Sequence, residues 1–347
     1  MGAGQGSQNI FEEGNPILKN KLNLAVALLL AAGILLLGSI ELAENLREPV
    51  ISNCAIVHQA ENKLAVPANF AFAVLGDNKG DEGTYSKILD DIEQDPEIAF
   101  AVHTGDLTRT SSRNEYGDIA ELSCAHLQKP FLVIPGNHDI HNGGGQTFKD
   151  VIGPAYYEAK TAAAELIFLD TSTSSRMDDA QMRWLEGMLA GRKPGDQVLV
   201  FTHQPLYDPR KDSKPHCLSP KKADPLARLF EEYGVNYVFA GHIHGYFVGK
   251  WNNIPYAITG GAGAELQGSD PQAFFHNYLK VKVNGARIDV TVVPVRLSKS
   301  QDLLLGAREY VKREKIELAL YLAVAVLALV LLLRARGKPR PSNIALT

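Results

Sequence analysis

The sequence has few cysteines, and none of them belongs to a Cys-x-x-Cys pair. Cys54, Cys124 and Cys217 are scattered over 347 residues, so the sequence supports neither a zinc ribbon nor a dithiol redox centre. One disulfide with one thiol left over is compatible with this count. The chain also lacks an excess of positive charge, since 35 Lys and Arg stand against 39 Asp and Glu. The composition therefore argues against binding of a nucleic-acid backbone through bulk charge.

Two long uncharged runs differ from the rest of the chain. Residues 22–40 are apolar except for Asn23 and Ser39, and at ~1.5 Å per residue a helix of this length reaches roughly 28 Å, about the thickness of a bilayer core. Residues 316–333 contain a second, shorter run that basic residues follow. We expect both to be transmembrane helices. The alternatives are a cleaved signal peptide for the first and a buried core helix for the second.

The flanking charges predict how such spans would be oriented. Lys19 and Lys21 precede the first run, whereas Glu41 and Glu44 follow it, which favours an N-terminus in the cytoplasm. Residues 1–21 and the basic residues 334–347 are then cytoplasmic tails. The intervening chain is expected on the extracytoplasmic side, as a connector (41–68), a folded domain (69–298) and a juxtamembrane helix (299–315).

Within the folded domain, short apolar runs alternate with helix-like stretches, and this pattern is typical of a layered α/β domain. The predicted strands are Phe70–Leu75, Ile98–His103, Phe131–Ile134, Leu166–Leu169, Val198–Phe201 and Tyr237–Ala240, followed by a β-rich ending at Tyr256–Thr259, Tyr278–Val283 and Arg287–Val295. The predicted helices are Thr84–Glu93, Asn114–Leu127, Asp178–Leu189 and Asp224–Tyr233.

Five of the apolar runs stop at a polar cluster. These clusters are Gly76-Asp77-Asn78-Lys79, Gly105-Asp106, Gly136-Asn137-His138-Asp139, Thr202-His203 and Gly241-His242-Ile243-His244. Because ligands of open α/β sheets bind outside the carboxyl ends of the strands, we expect all five clusters to converge on one crevice. A single Gly-Asp pair is a common turn, but five such clusters in this order indicate a site.

The side chains that would converge are carboxylates, one carboxamide and imidazoles, without sulfur. This donor set suits a borderline divalent ion such as Mn, Fe or Zn better than Ca or Mg, which prefer shells made only of oxygen. The sequence therefore predicts one or two divalent transition-metal ions as cofactors. His103 lies inside an apolar strand, so we interpret it as a core imidazole and not as a ligand.

The Gly-Asn-His-Asp and Gly-His-x-His motifs, with the two upstream Gly-Asp motifs, resemble those of the calcineurin-like metallophosphoesterase superfamily, over about residues 70–295. The resemblance, to a membrane-anchored bacterial-type member, implies a four-layer α/β/β/α sandwich with a dinuclear metal centre. In it Asp106 matches the bridging carboxylate. The remaining matched ligands are Asp77 and His244 for one ion, and Asn137, His203 and His242 for the other.

One position departs from the family pattern. The first motif of the family is usually Asp-x-His, and Lys79 stands where the histidine is expected. Relatives of the purple acid phosphatase type supply a tyrosine three residues after the second aspartate, and Arg109 occupies that position. Three interpretations of Lys79 stay open: a solvated loop lysine, a point charge that binds substrate phosphate, or a substitute for part of the missing cation.

The resemblance implies hydrolysis of a phosphate ester by a metal-bound hydroxide, since bound ions lower the pKa of water. His138 matches the residue beside the leaving group and would act as general acid. Asp139 could orient the His138 imidazole, as carboxylates do for histidines. Further candidates for substrate binding are Lys79, Arg109 and His141.

The sequence leaves the substrate and one alternative function open. The ester could be a monoester or a diester, and either a soluble compound or a lipid-linked phosphate at the bilayer. The alternative is a non-catalytic membrane scaffold that retains the fold, and Lys79 is the one feature that favours it. A nuclease is disfavoured by the negative net charge of −4 and by the expected location.

Overall fold

A computed structural model of the chain describes residues 64–192, 195, 197–210 and 215–297. The two predicted transmembrane helices, both cytoplasmic tails and the juxtamembrane helix lie outside these residues. None of the helices within the described ranges combines the length and the apolar composition that a membrane span requires. The predicted folded domain, by contrast, lies almost entirely within them.

The described residues form eleven strands and five α-helices. The strands are β1 (Asn69–Leu75), β2 (Ile98–His103), β3 (Phe131–Val133), β4 (Tyr157–Lys160), β5 (Ala164–Phe168), β6 (Gln197–Phe201), β7 (Tyr237–Ala240), β8 (Tyr246–Trp251), β9 (Ile254–Thr259), β10 (Asn277–Asn284) and β11 (Arg287–Pro294). The helices are α1 (Gly83–Gln94), α2 (Arg113–His126), α3 (Gly144–Val151), α4 (Asp179–Ala190) and α5 (Pro220–Glu232), with a 3₁₀ segment at His138–Gly143.

The strands form two sheets. One has five strands in the order β11-β10-β1-β2-β3, and the other has six in the order β4-β5-β6-β7-β9-β8. Strands β1, β2 and β3 run parallel to one another, as do β5, β6, β7 and β9. The prediction of a mixed α/β fold is confirmed, and its strands are divided between two sheets. Parallel pairing brings the carboxyl ends of β1 to β3 to one edge and those of β6 and β7 to another.

Aromatic side chains fill the space between the two sheets. Phe72 stacks on Phe100, with ring centroids 4.9 Å apart, and its ring meets the edges of Phe201 and Phe239 at 6.0 Å. All four side chains have no exposed surface. Because alternate residues of a strand point to opposite faces, the Phe-Ala-Phe pattern of β1 directs its large side chains into this core.

Helices cover the opposite face of each sheet. In α1, Ile88, Leu89 and Ile92 recur at helical spacing and pack into a core cluster with residues of β1 and β2. Leu185 of α4 and Phe230 of α5 pack in the same way against the second sheet. The inter-sheet core and these two helix-covered cores hold the sheets in place.

The ends of two helices show why they begin where they do. Helix α2 begins after Ser112, whose hydroxyl accepts a hydrogen bond from the Glu115 N–H, while the Glu115 carboxylate accepts one from the Ser112 N–H, and this forms a capping box. Helix α5 begins at Pro220, four residues before its predicted start, because proline is well tolerated in the first turn of a helix.

Three elements were not predicted from the sequence. Strand β4 is four residues long, and β8 is an edge strand whose exposed Val248, Gly249 and Lys250 interrupt the apolar pattern. Helix α3 begins within a glycine run, with Gly143 in the left-handed region as its N-cap. Short length, one-sided exposure and glycine each weaken the periodic signal on which such predictions depend.

The Phe72→Ala variant should lower the free energy of unfolding by about 3–5 kcal/mol, because it leaves a cavity between two sheets that cannot close around it. Chemical denaturation of the full chain, followed by tryptophan fluorescence, measures the change. The control is Val248→Ala, whose side chain is 51% exposed and should change stability by less than about 0.5 kcal/mol. Equal effects of the two substitutions would contradict the packing described here.

Candidate metal centre

The carboxyl ends of five strands supply the candidate site. Asp77, Asp106 and Asn137 follow β1, β2 and β3 of the first sheet, and His203 follows β6 of the second. The loop after β7 supplies His242 and His244. The loops also bond to one another: the backbone N–H of Asp77 donates to the Gly105 carbonyl at 3.0 Å, and that of Gly241 donates to the His203 carbonyl at 3.1 Å. The site is thus formed jointly by both sheets.

Three of these residues have a backbone conformation that is rare for residues with a side chain. Asp77, Asp106 and His242 have φ angles of 63°, 60° and 69°, in the left-handed region that costs a non-glycine residue free energy. Such strain persists only where the surrounding structure enforces it. In each case the turn aims the side chain toward the other loops.

Two glycines allow the loops to approach closely. A Cβ atom at position 136 would lie 2.1 Å from Asp106 Oδ1, and one at position 241 would lie 2.5 Å from Asp77 Oδ2. Gly136 and Gly241 are therefore needed because each carboxylate lies against the backbone of another loop.

Each carboxylate accepts one backbone hydrogen bond through one of its two oxygens. The N–H of His242 donates to Asp77 Oδ2 at 2.9 Å, and the N–H of His138 donates to Asp106 Oδ1 at 2.8 Å. Asp77 Oδ1 and Asp106 Oδ2 are buried without a hydrogen-bond donor. Because a buried carboxylate oxygen without a partner is unfavourable, Asp77 Oδ1 calls for a cation, and Asp106 Oδ2 has the Lys79 ammonium 3.3 Å away.

Several potential ligand atoms converge on His203 Nε2. Asn137 Oδ1 lies 3.0 Å from it, His242 Nδ1 lies 3.1 Å from it and Asp106 Oδ1 lies 3.4 Å from it. His203 Nδ1 donates to the Thr104 carbonyl at 2.9 Å, so in the neutral ring Nε2 carries a lone pair. Nε2 and Asn137 Oδ1 then face each other as two acceptors, which a bound metal ion would reconcile.

A similar arrangement surrounds His244. Its Nδ1 donates to the Glu265 carbonyl at 2.5 Å, which leaves Nε2 with a lone pair. This Nε2 is buried without a hydrogen-bond partner and lies 3.6 Å from Asp77 Oδ1, which also has none. Two unpartnered acceptors again face a common space.

Burial keeps the three imidazoles neutral. It lowers the pKa of His203, lowers that of His242 to about 2 and lowers that of His244 to about 4. Neighbouring positive charge acts in the same direction, notably that of Lys79 on His244. All three rings are therefore in the unprotonated form that binds metal ions at neutral pH.

The two carboxylates titrate in opposite directions. Burial and the charge of Asp106 raise the pKa of Asp77 well above its ordinary value. Burial would also raise the pKa of Asp106, but the Lys79 ammonium and the backbone N–H of His138 favour its ionised form and lower that pKa. The Asp77 and Asp106 ligand atoms lie within 4.8 Å of each other, so the two carboxylates repel each other when both are ionised. A cation between them would offset this repulsion.

These residues fit a divalent transition metal. The ligand atoms of Asp106, His203 and His242 lie within 4.8 Å of one another, and so do those of Asp77, Asp106 and His244. Asp106 belongs to both groups, as a bridging carboxylate would. Nitrogen and oxygen donors in this mixture suit Mn, Fe or Zn, in agreement with the prediction of one or two such ions.

Lys79 lies inside the site and not in solvent. Its Nζ is 3.3 Å from Asp106 Oδ2, and its side chain is only 14% exposed. Its backbone N–H donates to the Asp106 carbonyl at 2.9 Å. The interpretation of Lys79 as a solvated loop lysine is therefore wrong.

His138 lies at the rim of the same cluster. Its Nδ1 donates to the Arg109 carbonyl at 2.8 Å, so Nε2 is free to act on a substrate. The His141 ring stacks on the His138 ring, with centroids 5.3 Å apart and planes 13° apart. Arg109, a predicted substrate-binding residue, has an exposed side chain and contributes its main-chain carbonyl.

The expectation that Asp139 orients His138 is wrong. The buried Asp139 carboxylate accepts hydrogen bonds from the backbone of Gly136, Leu107 and Thr108 and from the Thr108 hydroxyl, at 2.8–3.2 Å. Burial raises its pKa to about 7. Asp139 therefore fixes the loop after β3 to the loop after β2, because its carboxylate accepts the hydrogen bonds from Leu107 and Thr108.

Two other histidines lie near the cluster, and only one of their positions was predicted from the sequence. His103 is fully buried and bonds to Asn78 Oδ1 at 3.0 Å, which confirms its interpretation as a core imidazole. His216 was not among the predicted site residues, but its ring centroid lies 5.6 Å from that of His242. Its position in the polar loop after His203 was the available signal.

The chain resembles several curated phosphoesterases. A probable cyclic nucleotide phosphodiesterase of Rhodopseudomonas palustris is 28% identical over 184 residues, covering 49% of this chain and 66% of that protein. The Fe(3+)-Zn(2+) purple acid phosphatase 12 of Arabidopsis thaliana is 28% identical over 225 residues, covering 55% and 46%. A probable glycerophosphodiester phosphodiesterase of Arcobacter nitrofigilis is 28% identical over 197 residues, covering 52% and 70%. The chain spans about half to two thirds of the length of the first two.

Among solved structures, a purple acid phosphatase from yellow lupin (Lupinus luteus) seeds superposes with a TM-score of 0.53 at 16% identity, covering 66% of this chain and 52% of that one. At this identity the likeness concerns the fold alone. The sequence model described as calcineurin-like phosphoesterase matches residues 70–246, just over half of the chain and every residue of the cluster. The chain belongs to the calcineurin-like phosphoesterase family.

Proposed function

We propose that the chain hydrolyses phosphate mono- or diesters with the help of a divalent transition metal. One observation carries this proposal: oxygen and nitrogen atoms of six residues converge, and Asp77 Oδ1, Asp106 Oδ2 and His244 Nε2 among them are buried without a hydrogen bond. Those residues are Asp77, Asp106, Asn137, His203, His242 and His244. Such an arrangement is unfavourable unless a cation is bound. A bound ion would supply a Lewis acid that polarises a phosphoryl oxygen and lowers the pKa of coordinated water.

The residues of the chain would position and protonate the substrate. Asp106, fixed by the backbone of His138, would lie between the two ligand groups. His138 would donate a proton from Nε2 to the departing alkoxide, because its Nδ1 is held by the Arg109 carbonyl. His141, stacked on His138, would restrict the rotation of that ring and line the approach to it.

The names of the relatives support both substrate classes. Two are named as probable phosphodiesterases and one as a phosphatase, so both diesters and monoesters enter the proposal. If the chain is anchored in a bilayer, a lipid-linked phosphate ester would be concentrated near the site. Parallel assays with p-nitrophenyl phosphate, its bis ester and a phospholipid in mixed micelles would rank these substrates.

We also propose that residues 22–40 and 316–333 anchor the chain in a membrane with both termini cytoplasmic. The support is the length and apolar composition of these runs and the charges that flank them. Cys124 is disulfide-bonded, and disulfides persist mainly in oxidising compartments. This agrees with an extracytoplasmic position for the folded domain.

The His138→Ala variant should lower kcat by ~10² to 10⁴, because it removes the proposed general acid, while the metal content stays at the wild-type value. Kinetics with the preferred p-nitrophenyl substrate and elemental analysis of the same preparation give both quantities. His126→Ala is the matched control, since His126 pairs with Asp90 at the end of α2 and should not alter kcat. Loss of metal together with activity would refute a separate acid role.

The Asp106→Asn variant should weaken metal binding by at least about 100-fold and abolish turnover, because Asp106 belongs to both ligand groups. Chelation should inactivate the wild-type chain, and Mn²⁺, Zn²⁺ or Fe²⁺ should restore it. A chain that contains no stoichiometric transition metal and has no hydrolase activity after loading would instead fit a scaffold.

The topology predicts a specific protease pattern in a bacterial host. Protease added to spheroplasts that express the full chain should degrade the folded domain and spare an epitope tag placed after residue 347. Digestion of the tag with protection of the domain would contradict the proposed orientation.

A further inference from the structure

Lys79 lies inside the candidate metal centre, beside the carboxylate that both ligand groups share. It lies two residues after Asp77, and its φ angle of 46° is in the left-handed region. Both ends of the residue contact Asp106: the backbone N–H donates to the Asp106 carbonyl, and the ammonium lies 3.3 Å from Asp106 Oδ2. The rare backbone conformation is thus retained where it directs a positive charge inward.

The ammonium lies against an oxygen that a metal ion would otherwise use. Asp106 Oδ2 has no hydrogen-bond donor, and Asp106 groups with Asp77 and His244. The ligand atoms of Asp77, Asp106 and His244 lie within 4.8 Å of one another, so a charge placed 3.3 Å from Asp106 Oδ2 is close to all three. Lys79 therefore acts electrostatically on every member of this first group.

The second group differs in the nature of its ligand atoms. Asn137 Oδ1 and His242 Nδ1 lie 3.0 and 3.1 Å from His203 Nε2. All three are potential ligand atoms of uncharged side chains. Asp106 Oδ1 adds one negative charge at 3.4 Å. Nothing in this set of atoms repels a cation directly, whereas an ion in the first group would lie beside a fixed ammonium.

On the basis of the proposed function, we infer that the chain holds one transition-metal ion tightly, in the group of Asp106, Asn137, His203 and His242. The ammonium of Lys79 takes the place of a second ion between Asp77, Asp106 and His244. A substrate phosphate bound between the two groups then meets the metal on one side and an organic cation on the other. Lysine suits this role because its ammonium is a compact point charge.

Three substitutions separate the charge of Lys79 from its other properties. Lys79→Gly removes the charge and suits the left-handed backbone. Lys79→His removes the charge at neutral pH and adds a ligand. Lys79→Arg keeps the charge. Lys87→His is the matched control, because Lys87 lies on α1 and pairs with Asp91.

The measurements are the number of Mn²⁺ ions per full chain after equilibrium dialysis and the electron paramagnetic resonance spectrum of the bound ions. The wild type, Lys79→Arg and Lys87→His should bind one ion and give the signal of isolated Mn²⁺. Lys79→Gly and Lys79→His should bind a second ion at least about tenfold more tightly than the wild type, with the signal of a coupled pair. Thermal unfolding shows whether each variant is folded.

The outcomes separate this inference from the proposed function. Two tightly held ions in the wild type, or one ion in folded Lys79→Gly and Lys79→His, would overturn the inference and leave a metal-dependent hydrolase in place. A higher KM in Lys79→Gly with an unchanged ion count would overturn it in favour of simple phosphate binding. A wild type without any bound ion would overturn both the inference and the proposed function.

Discussion

Repulsion between two buried carboxylates is the constraint on which the architecture of this site depends. Asp77 and Asp106 cannot both remain ionised in a buried pocket unless positive charge or hydrogen-bond donors surround them. The backbone of His242 satisfies one oxygen of Asp77, the backbone of His138 satisfies one of Asp106, and Lys79 approaches a third. The left-handed turns and the close contacts at Gly136 and Gly241 follow from placing these donors.

Much of the fold and of the residue cluster could be predicted because both follow from short-range patterns. The alternation in β1 and the helical spacing in α1 identify elements within a few residues of their observed ends. Polar residues after five apolar runs fall at strand ends that parallel pairing brings together. The order of motifs along the chain therefore indicated which loops would meet, before any tertiary contact was known.

What could not be predicted depends on main-chain groups and on competition between loops. The carbonyls of Thr104, Glu265 and Arg109 orient the three histidines His203, His244 and His138, and a carbonyl has no sequence signature. Asp139 was predicted to orient its chain neighbour His138, but its carboxylate accepts hydrogen bonds from backbone N–H groups of another loop instead. Adjacency in sequence therefore did not indicate which hydrogen-bond donors the buried Asp139 carboxylate contacts.

The two sheets contribute opposite halves of the cluster, since Asp77, Asp106 and Asn137 follow strands of one sheet and the three histidines follow strands of the other. An ion bound there would link the two halves, in addition to the Phe72, Phe100, Phe201 and Phe239 contacts and the hydrogen bonds between their loops. By thermodynamic linkage, its binding energy also opposes separation of the sheets. Substitutions of the phenylalanines between the sheets, which change the sheet spacing, should therefore alter ion affinity without touching the ion.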